Sequence, residues 1–322
     1  MKIGVIGSGS MGQNHIRVLR NMPEVDEIII ADNNQSNLDH AKKKFGIDKA
    51  FEDYEVLIQQ RPDGIIVATP PVTHRKIALS AIEAGINVLV EKPIAHNLAD
   101  AEEMILAAER KGIVFTVGHV ERFNPVITKI KEFLDNKFLD NIYIINTYRC
   151  GPFPKRLLGN TEGVLIDLAV HDLDIINYLG GKVNNIHSQV IKAGKQEIYV
   201  KAIMDLENGI KASSEFSWIS PRYKRTIEIF GNSGMLLGDY FNQEVTFYEN
   251  SDFDYRSSLT NESFLGYGLV TAGKIIKYPM YKQEPLLLEL TDFVQAIKGI
   301  SKVFINPREA LYVLENALLI NP

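Results

Sequence analysis

Four groups of residues in this chain have types and spacings that fit chemistry. Gly7-Ser8-Gly9-Ser10-Met11-Gly12 follows the apolar run 3–6 and matches G-x-G-x-x-G. That spacing lets a backbone turn tightly against a pyrophosphate and aims the free N–H groups of a helix start at it. Asp32 closes a second apolar run 20 residues beyond Gly12, where a carboxylate can accept from ribose hydroxyls. Taken singly, a glycine turn and an N-capping aspartate would read the same way. A carboxylate at position 32 also repels a 2′-phosphate, and Asn33-Asn34-Gln35 offers no cation, so NAD is expected over NADP. Ala68-Thr69-Pro70-Pro71 and Glu91-Lys92-Pro93 each follow a further apolar run. A lysine held there can polarise a hydroxyl or carbonyl oxygen, although Lys-Pro after a strand also suits a solvated turn. Asp167, His171 and Asp174 fall at i, i+4 and i+7, one face of a helix, where flanking carboxylates orient an imidazole as a general base. A buried, hydrogen-bonded histidine is the other reading of that face. A metal site lacks support, since Cys150 is the only cysteine and no HExxH pattern occurs.

The elements that must position these groups change character near Gly118. Runs 3–6, 27–31, 64–68, 87–90 and 113–117 are short and rich in Ile and Val, as strands buried on both faces of a parallel sheet are. Helical spacing fills the gaps between them, for example over 98–110, so the expected first domain is a doubly wound Rossmann sheet over 1–120. Residues 121–322 are expected to form an α+β domain with an open, mainly antiparallel sheet. It begins with an amphipathic segment at 126–134 and a strand at 142–147, followed by a helix-like stretch over 163–179. Alternating strands at 183–191, 197–206, 210–218 and 225–230 read as antiparallel neighbours, with a hairpin signal at Glu207-Asn208-Gly209. Residues 285–298 and 307–320 predict closing helices, each with proline in its first turn, the last able to fold back on the first domain. The polar, aromatic-rich 249–284 reads as a long loop serving as a substrate flap or an oligomer contact.

Composition narrows the class. The chain has 322 residues, 45% of them hydrophobic, with a net charge of -5, which fits a globular protein and argues against nucleic-acid or anionic-membrane binding. No apolar run approaches the roughly 18 residues of a membrane span, and no signal peptide is evident, so a cytoplasmic protein is expected. Arg149, Lys155 and Arg156 can hold a diphosphate, and Arg222, Lys224 and Arg225 form a second basic cluster; either cluster also fits an ordinary solvated surface.

Together the glycine loop, Asp32, Thr69-Pro70-Pro71-x-x-His74, Glu91-Lys92-Pro93 and Asp167-x-x-x-His171 resemble the Gfo/Idh/MocA oxidoreductases across essentially the whole chain. The resemblance implies a hydride passed between nicotinamide and a hydroxyl-bearing carbon of a sugar or cyclitol. It implies Lys92 and His171 as the catalytic pair with Asp167 beside them. It assigns the cofactor to residues 7–12, Asp32, Thr69, Pro70, His74, Glu91 and Lys92. The substrate would meet Lys92, Arg122, Asn124, Arg149, Lys155, Arg156, Asp167 and His171. Runs 118–125, 149–156 and 165–172 resemble members that act on C3 of UDP-N-acetylglucosamine and related nucleotide sugars. Asn160-Thr161-Glu162-Gly163 departs from the triple-glycine lead-in common in the family. An inositol or free-sugar dehydrogenase is the alternative enzyme, and a non-catalytic NAD sensor the alternative of another class. Family members often associate through the open sheet, which implies a homodimer or homotetramer.

Overall fold

The computed structural model describes residues 1–154, 163–250 and 273–320. The chain divides into two compact units, Met1–Phe123 with Gln283–Leu318 and Asn124–Lys282 with Leu319–Pro322. Among the described residues no helix is long and apolar enough to cross a membrane.

The first unit is a six-stranded parallel sheet, β1 (Lys2–Ile6), β2 (Glu27–Ala31), β3 (Ala50–Phe51), β4 (Gly64–Val67), β5 (Asn87–Glu91) and β6 (Phe115–Gly118), in the order β3-β2-β1-β4-β5-β6. Its strands alternate between two apolar cores. Ile29, Ile65, Val67, Val88 and Val90 face α4 (Pro71–Glu83) and α5 (Leu98–Lys111), while Ile3, Val5, Ile30, Ile66 and Leu89 face α1 (Ser10–Leu19) and α2 (Gln35–Phe45). Burial on both faces explains why the strands read as continuous apolar runs. A short α3 (Tyr54–Gln59) precedes β4. The helices α8 (Pro285–Ile297) and α9 (Pro307–Ile320) add one stripe to each core, Leu286, Leu290 and Phe293 to one and Ala310 and Leu314 to the other. Register matters most for function. Ile6 pairs with Ala31 on one side and Val67 on the other, Val67 pairs with Val90, and Glu91 with Gly118. The residues that follow, Gly7, Asp32, Ala68 and Lys92, therefore share one rim at the carboxyl ends. Strand order reverses between β1 and β4, the place where such sheets bind ligands.

The second unit has an eight-stranded sheet, ordered β14-β13-β12-β11-β7-β10-β9-β8. Its members are β7 (Ile142–Pro152), β8 (Val183–Ala193), β9 (Gln196–Leu206), β10 (Lys211–Ser217), β11 (Ile219–Gly231), β12 (Gly234–Asp239), β13 (Glu244–Glu249) and β14 (Ile275–Tyr278). Helices α6 (Pro125–Asp135) and α7 (Val170–Gly180) pack on this sheet. Along β9, Val200, Ala202, Met204 and Leu206 are buried, while Lys201 and Ile203 between them are exposed. The β9–β10 hairpin forms at Asn208-Gly209, where Gly209 has φ +87° and its N–H donates to the Leu206 carbonyl at 3.0 Å. One pairing corrects the sequence: β10 is not the neighbour of β11. β7 lies between them, parallel to β10 and antiparallel to β11, so the hairpin succession is broken by an earlier strand. Strands β12, β13 and β14 were not foreseen; of 249–284, residues 251–272 lie outside the described residues.

Candidate active site

At the first rim, Gly7 has φ +91°, and a Cβ there would meet the Ala68 carbonyl oxygen at 2.5 Å, so only glycine permits the turn. A Cβ on Gly12 would lie 1.8 Å from the Gly7 oxygen, which keeps α1 tight against β1. Gly9 differs. It is the N-cap of α1, makes no side-chain cap, and a Cβ there would have nothing within 4 Å. The helix start, with Ser10 and Met11, thus presents its N–H groups to open space. Ser8 is buried, and its N–H and Oγ both donate to Asp32 Oδ2 at 2.6 and 2.9 Å, while Asn34 N–H donates to Oδ1 at 2.8 Å. Each carboxylate oxygen accepts more than one bond, so Asp32 Oδ1 keeps capacity for a ribose hydroxyl. These residues fit a dinucleotide.

Behind the rim lie residues expected to touch the cofactor that the structure places deeper. His74 is fully buried; its ring nitrogens lie 2.8 Å from the Thr69 carbonyl and 3.1 Å from that of Pro93. Burial lowers its pKa against the pull of those carbonyls. His74 therefore fastens the Thr69-Pro70 turn to the Pro93 turn. Glu91 is likewise buried. Its Oε1 accepts from His15 Nε2 at 2.7 Å and its Oε2 accepts the Lys92 N–H at 3.2 Å. Burial pushes the Glu91 carboxyl up, but the His15 hydrogen bond and the charges of His15 and Lys92 outweigh it and hold it below the usual range. Lys92 is half-buried and joined to Pro93 by a cis peptide bond.

Two further expected substrate residues have internal roles. Buried Arg122 forms an ion pair with Glu309, and Asn124 caps α6, its Oδ1 accepting from Val126 N–H at 3.1 Å. Each thus has a structural partner within its own unit.

In the second unit the helix-like stretch begins with a π-helical turn, Leu165–Ala169, before α7. Wide turns of this kind recur at functional sites. Asp167 lies in the π turn and is buried; His171, in the first turn of α7, is partly exposed; Asp174 is buried. Asp167 lines a cavity of about 210 Å³ together with Arg149, Cys150, Trp218, Tyr223 and Arg225. Gly151 makes room for Tyr223, because a Cβ there would come within 2.7 Å of the ring. Arg149 is 2% exposed, and its Nε and Nη2 donate to Asp172 Oδ1 at 3.1 and 2.8 Å. Expected as a diphosphate ligand, Arg149 forms a buried ion pair at the cavity wall. Arg225 lies over the Phe241 ring and Lys224 over the Tyr148 ring. Burial pushes the Cys150 thiol up to about 11, which disfavours the thiolate. Lys155, Arg156 and Asn160-Thr161-Glu162 lie outside the described residues.

Sequence reasoning passed over His15, Trp218 and Tyr223. His15 had a signal: it sits among Ile16, Val18 and Leu19 on the buried face of α1, where a polar residue needs a partner.

Two family profiles match the chain, "Oxidoreductase family, NAD-binding Rossmann fold" over residues 1–119 and "GFO/IDH/MocA C-terminal domain" over 127–237. Among similar proteins, the myo-inositol 2-dehydrogenase of Thermotoga maritima is 26% identical over 251 residues, 74% of this chain and 75% of its own. The UDP-N-acetylglucosamine 3-dehydrogenase of Acidithiobacillus ferrooxidans is 25% identical over 99% of this chain and 95% of its own. Its solved structure matches with a TM-score of 0.82 over 99% of this chain and 96% of that one, at 24% identity. A levoglucosan dehydrogenase in complex with NADH matches with a TM-score of 0.83 over 99% and 96% of the two chains, at 20% identity.

Proposed function

The chain belongs to the Gfo/Idh/MocA oxidoreductase family, an NAD-binding dehydrogenase acting on CH–OH groups, and within it we propose that the substrate is C3 of a UDP-linked N-acetylhexosamine. The observation that carries this reading is the second unit's cavity. Arg225 offers a cation for phosphate, Trp218 and Tyr223 offer flat faces for a sugar or base, and Asp167 offers an acceptor for a ring hydroxyl. The similarity to the UDP-N-acetylglucosamine 3-dehydrogenase, spread over nearly the whole of both chains, supports it.

NAD, when bound, supplies the hydride acceptor. Gly9 leaves room for the pyrophosphate beside the turn that Gly7 and Gly12 permit, and Asp32 would hold a ribose. In this proposal Lys92 Nζ donates to the substrate oxygen and steadies the negative charge that grows there as the hydride departs. His171 takes the hydroxyl proton as general base, and Asp167 orients the same hydroxyl. A second copy of the chain is proposed to cover the open sheet face, where Ile203 is 55% exposed.

The test mixes protein and NAD with UDP-N-acetylglucosamine, its 3-amino and uronic-acid relatives, and myo-inositol, and follows NADH formation. Turnover with a nucleotide sugar alone is expected. Turnover with myo-inositol instead, the reading that the Thermotoga maritima relative favours, would overturn the substrate while leaving the hydride chemistry. Lys92→Ala and His171→Ala are each expected to lower kcat by about 10²–10⁴, with NADH affinity changed far less.

A further inference from the structure

Gln13, half-buried near the start of α1, reaches back onto the glycine loop. Its Nε2 donates to the Ser8 carbonyl at 3.1 Å, and its backbone N–H donates to the Gly9 carbonyl at 2.9 Å. One residue thus holds two successive loop carbonyls. Gln13 is itself held by Lys44, in the last turn of α2, whose Nζ donates to its Oε1 at 3.1 Å. An ammonium can only donate and a carbonyl can only accept, so these two neighbours fix which end of the Gln13 amide faces which. On the far side of the loop, Ser8 N–H donates to Asp32 Oδ2 at 2.6 Å. The bonds therefore run in one direction, from the Lys44 ammonium through Gln13 and Ser8 to the Asp32 carboxylate, and bonds aligned in this way strengthen one another.

The group that this chain of bonds restrains is the Ser8–Gly9 peptide. A trans peptide is planar, so its N–H points opposite to its C=O. With the Ser8 carbonyl drawn to Gln13, the Gly9 N–H is aimed away from Gln13. Neither backbone preference nor packing otherwise keeps that peptide from turning over. A half-turn would carry Gly9 from φ −68° into the positive region, which glycine enters about as readily as the negative one. A Cβ at Gly9 would have nothing within 4 Å, so no neighbour blocks the movement. The turned-over peptide would present its carbonyl oxygen where the N–H had been, and would repel an anion instead of binding it.

We propose that Gln13 is a positioning residue for the pyrophosphate of NAD. It holds the Ser8–Gly9 peptide with its N–H available to a phosphate oxygen, and Lys44 acts through Gln13, not on the phosphate. The assignment rests on the cofactor site of the first unit and is independent of the sugar.

The experiment uses the full chain without any sugar. NADH binding is followed by its fluorescence, and ADP and adenosine are measured by competition against it. Adenosine keeps the ribose that Asp32 would meet but lacks the diphosphate, whereas ADP carries it. Gln13→Leu keeps the bulk and loses the amide. It is expected to weaken NADH and ADP binding by about tenfold, with adenosine binding changed far less. Gln13→Asn, one methylene too short to reach Ser8, is expected to do the same, and it carries the comparison if the leucine variant does not fold. Lys44→Met is expected to weaken ADP binding by about twofold to threefold. Added to Gln13→Leu it should cost nothing further, because no amide is left for Lys44 to hold. Equal losses for ADP and adenosine would make Gln13 a general support of the fold and overturn the positioning role, as would an unchanged ADP affinity. Additive losses in the double variant would place Lys44 on the phosphate and overturn its action through Gln13. Silence toward every sugar would overturn the substrate reading and leave these affinities standing.

Discussion

Among the described residues, Asp172 in the second unit and Glu91 in the first are each buried against a nitrogen-bearing side chain, and the two pairs are built differently. In the second unit Arg149 directs two donors onto one oxygen of Asp172, with both side chains 3% exposed or less. In the first, Glu91 divides its two oxygens between His15 and a backbone N–H. Arginine keeps its charge at every working pH, so the Arg149–Asp172 pair is a fixed fastening between β7 and α7. The pair behind Lys92 is held by one side-chain bond and one backbone bond, with the Glu91 carboxyl kept below its usual range. The Arg149–Asp172 pair braces a cavity wall, and the His15–Glu91 pair adjoins the lysine proposed to act on the substrate.

The largest effect should come from breaking the fixed pair. Arg149→Met leaves the Asp172 charge buried without its guanidinium, and unfolding of the second unit is expected to become easier by about 3–5 kcal/mol. Urea titration followed by Trp218 fluorescence checks this. His15→Ala removes one charge-assisted hydrogen bond, for a smaller loss in the first unit of about 1.5–3 kcal/mol. Equal losses would abolish the distinction between the pairs.

A pH series sharpens the same comparison. The Glu91 carboxyl is held below its ordinary value of 4.5. A lowered carboxyl pKa contributes stability that is fully present above 4.5 and is lost as pH falls through the folded value. Wild type and His15→Ala should therefore differ most near neutrality and converge in acid. Curves that run parallel down to low pH would mean that His15 does not hold Glu91 ionised.

The two regions also differ in how far they could be read from residues alone. Gly7 to Gly12, Asp32 and Lys92 are legible because each needs only its own strand end and the turn after it, which short-range spacing encodes. Their common rim follows from parallel pairing, which the Ile and Val runs already implied. The His15–Glu91 pair spans 76 residues, and no local pattern announces it. Arg149 is the opposite case. Beside Lys155 and Arg156 it reads as part of a cationic surface, and only the pairing of β7 between β10 and β11 buries it against Asp172. The π turn at Leu165–Ala169 escaped because a stretch rich in Leu, Ile and Ala has the same apolar spacing whether its bonds reach back four residues or five. Asp167 stands out by its spacing to His171, but the wall it shares with Trp218, Tyr223 and Arg225 comes from strands paired across the sheet.

The smallest expected effect gives the comparison its control. Arg308 bonds Glu109 with Nε to Oε1 at 3.0 Å and Nη2 to Oε2 at 2.9 Å, distances close to those between Arg149 and Asp172. Its geometry is the better of the two, since two donors meet two separate oxygens. Yet Arg308 and Glu109 are 49% and 52% exposed, so water already solvates both charges and replaces the bond when it opens. Arg308→Gln is therefore expected to cost less than about 1 kcal/mol, and added salt should erase most of that. If burial decides the worth of these pairs, Arg149→Met must exceed Arg308→Gln several-fold despite the matching distances. If the two variants lose similar stability, hydrogen-bond geometry sets the scale, and the fixed fastening between β7 and α7 is no stronger than a surface contact.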